Sequence, residues 1–247
     1  MQADERIIRL LLDCRAFCDA TGGKVNVAMG SVLQLWHEAR SDGRDDPVNA
    51  RLPDHDALLR AGEHMDPDTV IIDEAASTVS FTDPSVRLDV GAVAKGWAVQ
   101  RVAENAPAGL LISVGGNVCA TGPKTPDGTP WVVGVQGVDG GDSYLHTLYL
   151  TEGSVVTSGD YQRTYMVDGK LYHHIIDPET LYPSVCWRSV TVVCPDSGAA
   201  DALSTALFLL TQAEGQALLT QYQAEALWVD GDGNMFYSPG FQELIRT

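Results

Sequence analysis

Positive charge is what this sequence has least of. Sixteen Lys and Arg stand against 33 Asp and Glu, a formal net charge of −17 over 247 residues. A protein that neutralises nucleic-acid phosphates needs a basic face, so nucleic acid is excluded as a partner. An anionic ligand would also be repelled, unless a bound cation or a well-placed lysine offsets the field locally. No apolar run approaches bilayer-spanning length, and the opening "MQADERIIRL" is no signal peptide, so the residues given are expected to be cytoplasmic. Five cysteines (Cys14, Cys18, Cys119, Cys186 and Cys194) show no CxxC spacing. They argue for reduced, mostly buried thiols rather than a disulfide framework or a zinc site. The chain also lacks a Walker loop and the G-x-S-x-G elbow of a serine nucleophile. "DGDGN" mimics the start of a calcium loop, but Phe241 stands where the final carboxylate belongs, so it is a turn.

What is present is ordinary for a globular protein, with 45% hydrophobic and 20% charged residues. "ERIIRLLLDCRAFCDA" places Ile7, Leu10, Leu11, Cys14, Phe17 and Cys18 at helical spacing, and "TGG" ends that helix. Two more helices are expected over "SVLQLWHEAR" and "DHDALLRAGEH", then two short strands in "TVIIDEAASTVSFTD". "RLDVGAVAKGWAVQRVAEN" reads as a strand end, a small-residue turn and a helix from about Val93 to Glu104. "GLLISVGG" is expected to be a buried strand. From Trp131 to Ile176 the pattern is strand-rich. "TYMVDGKLYHHII" alternates around Asp168-Gly169, a strong hairpin signal that puts His173 and His174 on opposite faces of one strand. "RSVTVVC" is a buried strand, followed by a long helical region from Ala199 to about Tyr222 and a last hairpin. Leading helices, a strand-rich middle and a late helix give an α+β class.

Chemistry concentrates where these elements end. In "LDVGAVAKG", Gly91 and Ala92 leave the backbone bare, and Lys95 falls in the first turn of a helix, where an anion is favoured. The plain alternative is a tight turn with a solvated lysine. "SVGGN" marks a close backbone approach, and "VVTSGDY" offers the hydroxyls of Thr157 and Ser158. In "GAADALSTALFLL", Asp201 and Thr205 are four apart and share a helix face, with Leu203, Ala206, Leu207 and Leu209 on the core side. A carboxylate and a hydroxyl so placed can hold Mg²⁺ or can cap the helix.

The order of these segments is more specific than any one of them. "LDVGAVAKGWAVQRVA", "LISVGGNVCATG", "VVTSGDYQRTYMVDGKLYHHIIDPETLYPS" and "SVTVVCPDSGAADALSTALFLL" together resemble the FAD:protein FMN transferases, the ApbE-type flavin transferases. "TGGKVNVAMGSVLQLW" is similar to the same family's Gly-rich segment and following helix. The resemblance runs from about Glu5 to the C-terminus. It implies one α+β domain over residues 1–247, with mixed or antiparallel sheets packed with helices. Family members take FAD and Mg²⁺, cleave the pyrophosphate and attach FMN by a phosphoester to a Thr or Ser of a partner protein; some hydrolyse FAD to FMN and AMP. By motif, the resemblance implies Mg²⁺ ligands in the Ala92 carbonyl and the Asp201 and Thr205 side chains. It assigns FAD contacts to Lys24, Val25, Asn26, Asp89, Lys95 and the backbone near Ile175. His174 corresponds to the family's essential histidine, which takes the proton of the attacking hydroxyl. A pKa near neutrality would suit that task. Asp177 is expected to orient the loop or the histidine, and His173 to be structural.

Three departures from the family pattern keep other outcomes open. The family's first strand, helix and flavin-packing aromatic would lie upstream of Met1, as would any export signal, and a chain lacking part of a fold has an incentive to pair as a homodimer. "GGAFD" is here "GGKVN", with Asn26 for an acidic residue and Lys24 for a small one. "DPxTGYP" is here "DPETLYP", and Leu181 cannot take a positive φ cheaply, so the loop after Asp177 is expected to follow a different path. The alternatives are an FAD pyrophosphatase with water as acceptor, and a degenerate relative that binds flavin or serves only as an interaction module.

Overall fold

The computed structural model describes residues 1–138 and 143–246. In chain order the elements are α1 Glu5–Ala20, α2 Gly30–Asp45, α3 His55–Gly62, β1 Val70–Asp73, β2 Thr78–Phe81, α4 Ala94–Ala103, β3 Leu111–Val114, β4 Asn117–Thr121 and β5 Trp131–Gln136. There follow β6 Tyr144–Leu150, β7 Glu152–Gly159, β8 Tyr165–Val167, β9 Lys170–Tyr172, β10 Ser189–Cys194, α5 Ser197–Leu209, α6 Gln212–Tyr222, β11 Glu225–Val229 and β12 Met235–Tyr237. They divide into two compact units, Met1–Val90 with Gln162–Ser184, and Gly91–Tyr161 with Val185–Thr247.

In the first unit α1 starts on Asp4, whose side chain accepts the Arg6 N–H and so satisfies one orphan donor of the first turn. Its buried stripe is Ile8, Leu10, Leu11, Cys14 and Cys18. Ile7, expected inside, faces solvent; one register step separates it from Ile8, and only the packing surface chooses between them. The stripe covers Ala28, Val70, Val79 and Val86. A second cluster joins Met29, Val32 and Trp36 to Leu58, Tyr165, Ile176 and Leu181. Hairpin β8–β9 turns on Asp168 and Gly169, with φ of 48° and 77°, the left-handed pair that a two-residue turn requires.

The second unit is built on a six-stranded antiparallel sheet in the order β12-β11-β10-β7-β4-β3. Central β10 is buried almost throughout, and α5 packs on it and on β7. Every residue of α5 except Thr205 is buried, so the helix has no polar face. A separate two-stranded ribbon, β5–β6, contributes Val133, Val135, Leu148 and Leu150 to a cluster with Val155, Leu227 and Phe241.

Three sequence expectations change here. β3 is not a buried strand but the sheet's edge, with Leu111 38% and Val114 48% exposed. The long helix breaks into α5 and α6 at Thr211, which forms a capping box with Glu214. That T-x-x-E spacing was readable as a helix start. The strand carrying the histidines stops at Tyr172, so His173 and His174 lie beyond it in irregular backbone. The α+β class holds, and the five cysteines form no disulfide among the described residues, with Cys186 exposed and the rest buried. Among the described residues no helix is long and apolar enough to cross a membrane.

Candidate active site

In the second unit the turn Gly91–Val93 leads into α4, and Lys95 reaches from the helix's first turn to Asp201 Oδ1 at 2.8 Å and Asn117 Oδ1 at 3.0 Å. The other Asp201 oxygen accepts the Gly96 N–H at 2.8 Å. A carboxylate on α5 thus satisfies an orphan donor at the start of α4, a cap supplied from another helix. Gly96 makes this possible, because any Cβ there would meet the Ser197 carbonyl and the Asp201 side chain. Asp201 does not cap its own helix; Asp196 does, accepting the Ala199 N–H at 2.7 Å. Thr205 lies one turn on from Asp201, at the single partly open position of α5, and Ala92 is half-buried in the turn before α4.

Asn117 was not singled out as a site residue, although "SVGGN" contains it. It is 1% exposed, its oxygen holds Lys95, and its Nδ2 has no partner among the described residues. A buried donor without an acceptor is rare and costly. The glycine pair before it, Gly115 and Gly116, has φ of 55° and 92° and forms the β3–β4 turn, with the Lys95 chain passing 3.7 Å from where a Gly115 Cβ would stand. Thr157 and Ser158 are structural: Thr157 bonds Thr191 at 2.9 Å and Ser158 bonds Ser204 at 2.8 Å.

Asp201 and Thr205 present a carboxylate and a hydroxyl one turn apart on α5, oxygen chemistry that fits a hard cation such as Mg²⁺ that keeps several waters of its own. Among the described residues no cluster of three or more His, Cys, Asp or Glu exists that could cage a metal on protein groups alone.

In the first unit the two histidines divide by their hydrogen bonds. His173 Nε2 donates to the Ser184 carbonyl at 2.7 Å, and its Nδ1 accepts the Ile175 N–H at 3.2 Å. Both ring nitrogens are engaged by backbone. His174 Nδ1 donates to the Gln162 carbonyl at 3.2 Å, which leaves the lone pair on Nε2, bonded by no described residue. Burial first, then the charges of Arg163, His173 and Arg40, lower its pKa to about 4. The expected near-neutral value is thus replaced by a ring that stays unprotonated well into acid.

The remaining candidates of this unit are mostly occupied. Lys24 Nζ holds Glu179 at 2.7 Å and Asp177 at 3.2 Å. Burial pulls its pKa down, but the hydrogen bonds to these two carboxylates outweigh it and raise it. Val25 is core, 1% exposed, and its N–H donates to Thr21 Oγ1. Asn26 donates to the Met65 carbonyl and accepts the Ala28 N–H, both below 3 Å. Ile175 is buried and its carbonyl accepts the Ser184 N–H. Asp89 is exposed, with its N–H on the Val27 carbonyl at 2.8 Å. Leu181 does take a positive φ, 61°, contrary to expectation. It is held there because its side chain is buried against Trp36 and its carbonyl accepts the Trp36 indole N–H at 2.8 Å.

Known proteins share this architecture. The sequence profile described as the ApbE family matches residues 1–228. An FAD:protein FMN transferase of Treponema pallidum is 33% identical, with 99% of this chain and 71% of the relative covered. One from Klebsiella pneumoniae is 32% identical over 94% of this chain and 71% of its own length. The crystal structure of the ApbE protein of Thermotoga maritima superimposes with a TM-score of 0.86 at 33% identity, covering 100% of this chain and 80% of that one. The flavin transferase ApbE of Vibrio cholerae has a TM-score of 0.79 at 24% identity, a likeness of fold.

Proposed function

The chain belongs to the ApbE family, and on that premise we propose that it is an FAD:protein FMN transferase that uses Mg²⁺ and modifies a Thr or Ser hydroxyl. The observation that carries this reading is the Lys95–Asp201–Asn117 cluster at the start of α4. It combines a buried carboxylate, a cation and an unpartnered buried donor in a protein that is otherwise strongly acidic. Such a cluster gives an anionic pyrophosphate a local exception to the repulsive field.

Asp201, Thr205 and the Ala92 carbonyl would hold the Mg²⁺. When bound, the ion spreads charge over the pyrophosphate and stabilises the transferring phosphoryl group. Lys95 and the Asn117 amide donate to phosphate oxygens. His174 takes the hydroxyl proton on Nε2 as the acceptor oxygen bonds to the FMN-side phosphorus, and the pyrophosphate bond breaks with AMP as leaving group. Gln162 keeps the His174 ring in the tautomer that can accept. Asp177, held by Lys24, positions the loop that follows the histidine.

The test is to incubate the purified chain with FAD and Mg²⁺ and follow AMP and FMN, with and without EDTA, beside a His174→Ala variant. Removing a general base should cost about 10²–10⁴-fold in rate. Flavin appearing covalently on an added Thr-containing acceptor domain supports transfer. Free FMN alone, with water as acceptor, would make the chain a pyrophosphatase, and no AMP at all would sink both.

A further inference from the structure

Cations are few in this chain, yet three guanidinium groups gather in the first unit without a carboxylate among them. Arg40 and Arg44 are four apart on α2, on the side that carries Trp36 and Gly43, and Gly43 lies against the Tyr165 ring. Asp42 and Asp45 fall on the other side of the same helix. Arg163 stands just ahead of β8, next to Gln162, whose carbonyl holds His174. Arg44 also suits the negative end of α2. That does not account for the other two, and among the described residues none of the three is ion-paired. Among the described residues, Arg40 makes one side-chain bond, from Nη2 to His37 Nδ1 at 2.8 Å. Burial, then the like charges of Arg163 and Arg44, hold Arg40 below the usual guanidinium range.

Arg163 is also strained, with φ of 48°. Non-glycine residues in this region cluster where a side chain has to be aimed. The row of cations continues. Tyr165 donates its hydroxyl to the Arg51 carbonyl at 3.5 Å. Beside it a cleft of about 580 Å³ opens between residues 48–52 and the β8–β9 hairpin, where Arg51 and Lys170 face a single carboxylate, Asp168. None of the residues assigned to flavin or metal lines this cleft.

Guanidinium forks left without a carboxylate select planar oxyanions. A row extending from the histidine into a cleft fits a chain of carboxylates better than the one diphosphate of a dinucleotide. In a molecule of charge −17 an acidic partner is repelled elsewhere, so the row also decides where it lands. We propose that Arg163, Arg40 and Arg44, continued by Arg51 and Lys170, form the docking surface for an acidic segment of the acceptor protein, adjoining the hydroxyl that His174 deprotonates. The proposal rests on the flavin transferase reading.

Two synthetic peptides test it, equal in length and each with one threonine, flanked by aspartates in one and by asparagines in the other. Binding is read by fluorescence anisotropy without flavin. The wild-type chain should bind the aspartate peptide about tenfold more tightly at low salt, with the margin shrinking as salt rises. An Arg40→Gln/Arg44→Gln double variant should lose most of that margin while its affinity for FAD, read by quenching of flavin fluorescence, stays that of the wild type. Arg163→Gly, which suits the positive φ and so keeps the fold, should lower the margin too. Equal affinity for the two peptides overturns the proposal, as does a margin that survives in both variants. So does a fall in FAD affinity in the double variant, which would hand these arginines to the substrate phosphates. Failure of the transferase reading shows separately, as absence of AMP release by the wild-type chain.

Discussion

Three side chains carry consequences out of proportion to their size. Asp201 is 3% exposed and serves Lys95 and the Gly96 N–H at once. Asp201→Ala leaves the Gly96 donor without its acceptor and the ammonium with Asn117 Oδ1 in place of a carboxylate, and should cost about 2–3 kcal/mol, measured by urea denaturation. Asp201→Asn keeps an acceptor for Gly96, so it should fold nearly as well yet lose Mg²⁺-dependent flavin binding. Retained binding would remove Asp201 from the metal site. His174, lowered to about 4, takes up its proton later in the native state than in the unfolded chain as pH falls. The unfolded state then binds more protons between the ordinary histidine value and about 4, so stability declines through that window as the medium acidifies. Urea midpoints at either end of it should converge in a His174→Gln variant; an equal decline in both proteins would mean the ring is not desolvated as described. Leu181 holds a left-handed conformation that costs about 1–2 kcal/mol. Leu181→Gly relieves that strain but gives up about 2–3 kcal/mol of burial, so a small net loss is expected, and a gain in stability would show the side chain to be dispensable.

At the scale of elements, the contact of α4 with α5 governs the geometry of the Lys95–Asp201 pair. Gly96→Ala would drive a methyl into the Ser197 carbonyl and the Asp201 Cβ. Overpacking of this kind costs about 1–3 kcal/mol. Flavin binding should fall with it, because the helix carrying Asp201 has to shift; unchanged melting and binding would mean the two helices separate freely. The break between α5 and α6 is a local matter by contrast. Thr211 and Glu214 form a capping box, and Thr211→Ala should cost about 1 kcal/mol with no effect on flavin chemistry. Helix α1, the hairpin at Asp168-Gly169 and the start of α4 were all legible in the sequence, because helical period and turn residues act within a few positions. The edge position of β3 was not. Its Leu-Leu-Ile-Ser-Val run looks the same whether a sheet continues beyond it or stops, and pairing order is decided by β4 and β7, which come later in the chain.

For the molecule as a whole, the charge of −17 opposes an anionic dinucleotide, and the proposed Mg²⁺ would offset that field. FAD with Mg²⁺, at about a hundred times Kd, should add about 2.7 kcal/mol to stability by mass action, a rise of several degrees in Tm. EDTA should abolish the rise, and an equal rise with FAD alone would remove the metal from binding. The sequence by itself determined most element types and the family, because periodicity, turn residues and motif order are written along the chain. Which polar groups remain available was decided only by tertiary structure. Lys24 is held by Asp177 and Glu179, Asn26 by Met65 and Ala28, and Asp201 by Gly96, partners that come with one exception from many residues away. Hydrogen bonds and burial between distant segments choose the protonation, the orientation and the vacancy of each group. That choice sets His174 apart from His173, and among the described residues it leaves Asn117 Nδ2 without a hydrogen-bond partner and three arginines without an ion pair.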